Sequence, residues 1–125
     1  MSGVTAARIA LAEAVTQAGL DCEPYPPDAV NPPAAFVDSI RTEYVSGSGF
    51  SFCLSGAAAA TIIAVAQRHD RAGSTQYLED LIPPTLAALE GIGGVRVTGV
   101  DSGTTQIAGT DLPAVIYTVE FAISS

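Results

Sequence analysis

Ten consecutive apolar or small residues, Ala57-Ala58-Ala59-Ala60-Thr61-Ile62-Ile63-Ala64-Val65-Ala66, set the first condition that any fold of this chain must meet. Ile62, Ile63 and Val65 are β-branched and lose little χ1 freedom in an extended chain, so Thr61 to Gln67 reads as a strand. Alternation puts Ile62 and Ala64 on one side and Ile63 and Val65 on the other. Both sides are apolar, and such a strand requires cover on two faces. The alanines ahead of it suit a strand or a helix, and periodicity does not separate the two over Ser55 to Ala60.

A polar hinge, Gln67 to Ser74, leads into an amphipathic helix. Ser74 is the expected N-cap, and Tyr77, Leu78, Leu81, Ile82, Leu86 and Leu89 recur every three or four residues. Pro83-Pro84 interrupts that stripe, because each proline lacks a backbone donor and crowds the preceding turn. The expectation is a kink, or a split with Thr85 to Leu89 as a second short helix. Gly91, Gly93 and Gly94 then end it.

The rest of the chain supplies the partners. Val4, Ala7, Leu11, Ala14, Val15 and Ala18 form one face of a first helix, capped by Ser2 or Thr5 and stopped by Gly19, with Ile9 on its polar side. Leu20 to Tyr25 reads as a short strand. Tyr25 to Pro33 holds four prolines in nine residues and must turn or run extended, most simply to route the chain across a sheet edge. Ala34 to Val37 resumes as a strand, and Ser39 to Val45 continues it or pairs beyond a bend. Ser46-Gly47-Ser48-Gly49 reads as a flexible tip, and Phe50 to Leu54 as a sheet extension broken by Ser55-Gly56. Val95 and Val97 alternate with Arg96 and Thr98, while Asp101-Ser102-Gly103 and Ala108 to Asp111 carry turn signals. The last strand is the clearest: Val115, Tyr117, Val119, Phe121 and Ile123 share one face, against Ile116, Thr118, Glu120, Ala122 and Ser124. The order of elements predicts a single α+β domain over residues 1–125. Its sheet is mainly antiparallel and twisted, with the N-terminal helix and the kinked or split second helix packed on one face.

Composition narrows the function. Hydrophobic residues make up 48% of the chain and charged ones only 14%, so much apolar surface is left for a small monomer to hide. No run of 18 apolar residues offers a membrane span, and the first residues lack the basic-then-apolar pattern of a secretory signal. Burial against another subunit remains. The formal charge is −8, with five arginines and no lysine, which leaves little means of gripping nucleic acid. Cys22 and Cys53 sit in apolar company and read as buried free thiols.

Catalytic readings find little support. His69 is the single histidine, which rules out multi-histidine metal sites. Its pairing with Cys22 or Cys53 as a nucleophile competes with the simpler reading of a solvated turn residue. Gly91-Ile92-Gly93-Gly94 follows a helix and lacks the lysine of a phosphate loop. Scattered carboxylates such as Asp38, Glu43 and Glu120 have no partner fixed by spacing, and no GxSxG occurs. No cofactor or metal is expected.

Three features occur together: the short N-terminal helix, the Tyr25-Pro26-Pro27-Asp28…Pro32-Pro33-Ala34-Ala35-Phe36-Val37 crossing, and the Val65-Ala66-Gln67-Arg68-His69-Asp70-Arg71-Ala72-Gly73 hinge. With the final Tyr117-Thr118-Val119-Glu120-Phe121 strand, this layout resembles the minor tail proteins of long-tailed bacteriophages, in particular the tail terminator family of actinobacterial phages. The resemblance runs from about Thr5 to Ile123 and implies a structural virion protein without enzymatic activity. It would form a hexameric ring that caps the tail tube, halts its polymerisation and presents a surface to a head-completion or connector protein. It would sit at the head-proximal end of the tail after assembly in the host cytoplasm, with DNA passing the lumen unbound and no membrane contact. On this reading Ser46, Gly47, Ser48, Gly49, Phe50 and Phe52, with Ile63 and Val65, are the candidate assembly contacts. Another neck or head-completion connector is an alternative, as is a small ligand-binding or enzymatic α+β module.

Overall fold

The computed structural model describes residues 3–30, 32–45, 55–66 and 71–124. Its elements, in order, are α1 (Val4–Gln17), β1 (Cys22–Glu23), β2 (Ala34–Val45), β3 (Ser55–Val65), α2 (Arg71–Asp80), α3 (Ile82–Glu90), β4 (Val95–Ile107) and β5 (Thr110–Ser124). The strands form one five-stranded sheet in the order β1-β2-β3-β5-β4, antiparallel except for the short parallel β1–β2 pair. The path from β3 through α2 and α3 to β4 steps over β5, which then fills the gap by antiparallel pairing on both sides. This is the expected α+β architecture.

β3 is the centre. It pairs with β2 from Val65–Ala34 to Ser55–Val45 and with β5 from Val65–Ala114 to Ser55–Ser124. The alanine run is therefore strand throughout, and Ser55-Gly56 belongs to that strand instead of breaking the sheet. Two complete ladders of backbone hydrogen bonds outweigh the weak β preference of alanine and glycine. Asp101-Ser102-Gly103, expected to turn, lies within β4 opposite Ile116, Val115 and Ala114 for the same reason. β4 is an edge strand, where polar residues are tolerated because one side faces water.

The reversal comes later, at Ala108-Gly109, with φ of 51° and 81°. Two successive positive φ values match the twist of a tight hairpin, and glycine takes such a conformation without strain. Pro113 lies one residue beyond the β3 ladder, where its carbonyl accepts the Ala66 N–H at 3.1 Å. A missing donor is harmless to the β3–β5 ladder there.

The main core lies between one sheet face and the helices. Val115, Tyr117, Val119, Phe121 and Ile123 all face into it, as their alternation demands, with Ala58, Ala60, Ile62 and Ala64 from β3 beside them. α1 contributes Ala7, Leu11, Ala14 and Val15. Leu78 and Leu89 bury fully from α2 and α3, with Leu81, Ile82 and Leu86 packed against the cluster. Tyr77, placed on the stripe by spacing, is instead 43% exposed. One polar pair enters this core: Thr85 and Tyr117, both buried, share a side-chain hydrogen bond between α3 and β5. That bond satisfies groups that would be costly to bury alone. Burial outweighs it electrostatically and leaves the Tyr117 phenol harder to ionise than usual.

Helix ends depart from expectation. Gly3 stands at the N-cap of α1 without a side-chain bond, and Thr5 is inside the helix. Ser74 is the fourth residue of α2 and so is not its cap. The helix splits at Leu81, and the prolines fall in the first turn of α3, which starts at Ile82, earlier than the expected Thr85. There the missing N–H groups have no intrahelical acceptor in any case. The strand expected over Leu20 to Tyr25 shrinks to Cys22–Glu23. The hinge residues 67–70, His69 among them, and the 50–54 extension lie outside the described residues.

Arg8 fastens the proline crossing to the body. One terminal nitrogen donates to the carbonyls of Pro24 at 2.9 Å and Val37 at 3.0 Å, and the guanidinium lies 4.8 Å from the centre of the Tyr25 ring. Val37 directly precedes a β-bulge in β2, where register shifts between Val37 and Ser39. The arginine therefore joins helix, crossing and bulge. Arg8→Met keeps the aliphatic stem but removes both charge-assisted bonds and the ring contact, and should cost about 2–3 kcal/mol in urea denaturation. Ala108→Asn should do the opposite, raising stability by roughly 0.5 kcal/mol in the same assay, because asparagine tolerates the left-handed conformation better than alanine.

Candidate assembly surface

The sheet face away from the helices divides into two halves. In the lower half Val65, Leu112 and Ala114 form a small buried cluster, with Val30, Ile63 and Ile107 packed against it. Phe36 is buried beside Ile63 in the β2–β3 register. A cleft of about 740 Å³ runs here between the proline crossing and the β4–β5 hairpin. The second cover that the central strand requires is thus supplied in part by this chain's own crossing.

The upper half lacks such cover among the described residues. Strand register sets Arg41, Ala59, Glu120 and Arg96 side by side across β2, β3, β5 and β4. In the adjoining row Ala57 stands between Glu43 and Ala122. Methyl groups form the floor and long side chains the walls, which leaves an open groove of about 440 Å³ lined also by Gly94. Ala57 and Ala122 are exposed, and Ala59 is half-buried. Arg96 and Glu120 form an ion pair at 3.0 Å with side chains 76% and 52% exposed. Water and salt screen such a pair, so it contributes well under 1 kcal/mol to stability. Its consequence is local charge: Arg96 is matched by Glu120, whereas Arg41 has no ion pair among the described residues.

The expected contacts divide along the same line. Val65 is fully buried and has no side-chain surface to offer a partner, and Ile63 is half-buried beside it. Ser46, Gly47, Ser48, Gly49, Phe50 and Phe52 lie outside the described residues. The Arg41–Ala59–Glu120–Arg96 row was missed by sequence reasoning. Its signal was present in the alternation of Glu120 and Ala122 against the buried face of β5, but the row appears only when three registers are joined.

Other chemistry is sparse. Among the described residues no group of three or more His, Cys, Asp or Glu side chains is placed to hold a metal ion. No helix among them is long and apolar enough to cross a membrane. Cys22 is a free, half-buried thiol whose backbone N–H donates to the Thr16 hydroxyl at 3.1 Å, while that hydroxyl donates to the Ala12 carbonyl at 2.9 Å. Burial, reinforced by the Glu23 carboxylate, pushes the Cys22 thiol from 9.0 up to about 12. Such a group is a poor nucleophile at neutral pH. Comparison with protein-family models and with curated proteins finds no match in either.

Because the thiol is harder to ionise folded than unfolded, its contribution to stability is complete below about pH 9 and is lost as pH rises toward 12. In a Cys53→Ser background, Cys22 should alkylate with iodoacetamide at pH 8 on the order of 100-fold more slowly than a free thiol. The unfolding midpoint should also fall between pH 9 and 12, less steeply once Cys22→Ala is added.

Proposed function

We propose that this chain is a structural subunit of a phage tail, a terminator whose copies form a ring on the end of the tail tube and stop its growth. The observation that carries the reading is the one-sided cover of the sheet. Helices bury one face of β3 and β5, and the upper half of the other is a shallow groove floored by alanines. Small side chains let another polypeptide approach a sheet closely, and a subunit interface is the ordinary way to remove such a surface from water. The high apolar content and the low content of charge fit the same role. So does the resemblance of the crossing, hinge and last strand to tail terminators.

In this ring the head-side surface receives a connector, and the genome passes through the bore without being held. Exposed acids such as Asp28, Asp101 and Asp111 repel phosphates only within roughly a Debye length, about 8 Å at physiological salt, so a neutral to acidic bore suffices.

The test is polymerisation of the tail tube protein encoded by the same genome with increasing amounts of this chain. Mean tube length in electron micrographs should fall as the chain is added, with a ring of extra density at one tube end. Tubes of unchanged length with bare ends would remove the proposal.

A further inference from the structure

The alanine-floored groove is open, and the opposite side of the molecule exposes an aromatic ring, Tyr77, close to two acids, Glu79 and Asp80. We infer that the groove between Arg41 and Arg96 receives the outer face of α2, led by Tyr77 and Asp80, from a second copy of this chain. This deepens the ring reading by naming the two surfaces that meet, and so rests on it for its biological setting.

Three large hydrophobic side chains stand exposed among the described residues: Ile9, Tyr25 and Tyr77. Tyr25 is already engaged by the Arg8 guanidinium. Ile9 is aliphatic and lies in a separate shallow hollow against α1 and Pro24. Tyr77 is aromatic, projects from a helix that buries Leu78 alone among its described side chains, and has Asp80 three residues on, on the same side of the helix. An aromatic ring with a polar tip fits a floor of methyl groups walled by long polar side chains. Asp80 and Glu79, both exposed, bring negative charge to the wall where Arg41 has no ion pair among the described residues.

Geometry fixes the kind of association. α2 packs on the helix side of the sheet and the groove opens on the other, so a copy cannot fill its own groove. The contact joins two different surfaces, which makes it head-to-tail. Such an interface propagates until rotation closes it into a ring, or else extends as a filament.

The test uses the full chain by analytical ultracentrifugation, with circular dichroism confirming that each variant is folded. Arg41→Glu, Asp80→Arg and Tyr77→Ser should each weaken self-association at least about tenfold, whereas Ile9→Ser should leave it unchanged. A mixture of R41E and D80R restores both pairings with charges exchanged, and should associate where neither variant does alone. Raising salt from about 0.1 to about 1 M should weaken the wild-type contact.

A wild-type chain that stays monomeric up to about 1 mM would overturn the inference. So would association that R41E lowers but Y77S and D80R do not, the mark of two grooves facing each other, and so would a mixture that fails to associate. No tail tube is present in these measurements. Loss of tube capping with intact, swappable self-association would therefore sink the functional proposal and leave this interface standing.

Discussion

Everything in this molecule depends on the pairing of β3 with β5, eleven residue pairs in unbroken antiparallel register from Ser55–Ser124 to Val65–Ala114. The pairing gives each side of the sheet a separate character. Toward the helices it sets Val115, Val119 and Phe121 beside Ala64, Ala60 and Ala58, bulk on β5 against small residues on β3, and Tyr117 beside Ile62, where both are large. α1, α2 and α3 pack their buried side chains on this face. On the upper half of the other side the same register sets Ala57 and Ala59 against Ala122 and Glu120, too small or too polar to make a core, while Ile63 and Val65 lower down join a small one. A one-residue slip would exchange the two faces and destroy both properties.

The parts legible in the sequence were those whose signal is local and repeated. The inward face of β5, the buried stripe of α1 and the split near Pro83-Pro84 follow from period and proline chemistry alone. What sequence missed depends on partners far along the chain. Asp101-Ser102-Gly103 has the composition of a turn, but β5 is already fixed by β3 and offers it a continuous ladder. Ser55-Gly56 is strand because Tyr44, Val45, Ile123 and Ser124 flank it. Arg8 shows the same limit in a side chain. Its acceptors, 16 and 29 residues away, are backbone carbonyls, and those have no sequence signature.

Of the candidate contacts, Ile63 and Val65 follow from the expectation that a central strand apolar on both faces needs a second cover. A neighbouring subunit could supply that cover, and the chain itself supplies part of it. Val30, Leu112 and Ile107 close over the lower half from within the chain, which gives the proline crossing a packing role beyond routing. The crossing stops short of the upper half, where Arg41, Arg96 and Glu120 rise around alanines. Cover from the chain itself thus runs out where the side chains become small and the edges charged.

On the proposed interface, the distribution of the described arginines would let an acidic chain associate with itself. With 13 carboxylates against five arginines, random collision between copies is repulsive. Of the described arginines, Arg8 is turned inward to backbone carbonyls and Arg96 is matched by Glu120. Arg41 is exposed and has no ion pair among the described residues. In the proposed contact, general repulsion would disfavour random encounters, while one local attraction would decide the orientation in which copies meet. Specificity obtained this way does not need a strong contact, because most wrong orientations set acid against acid.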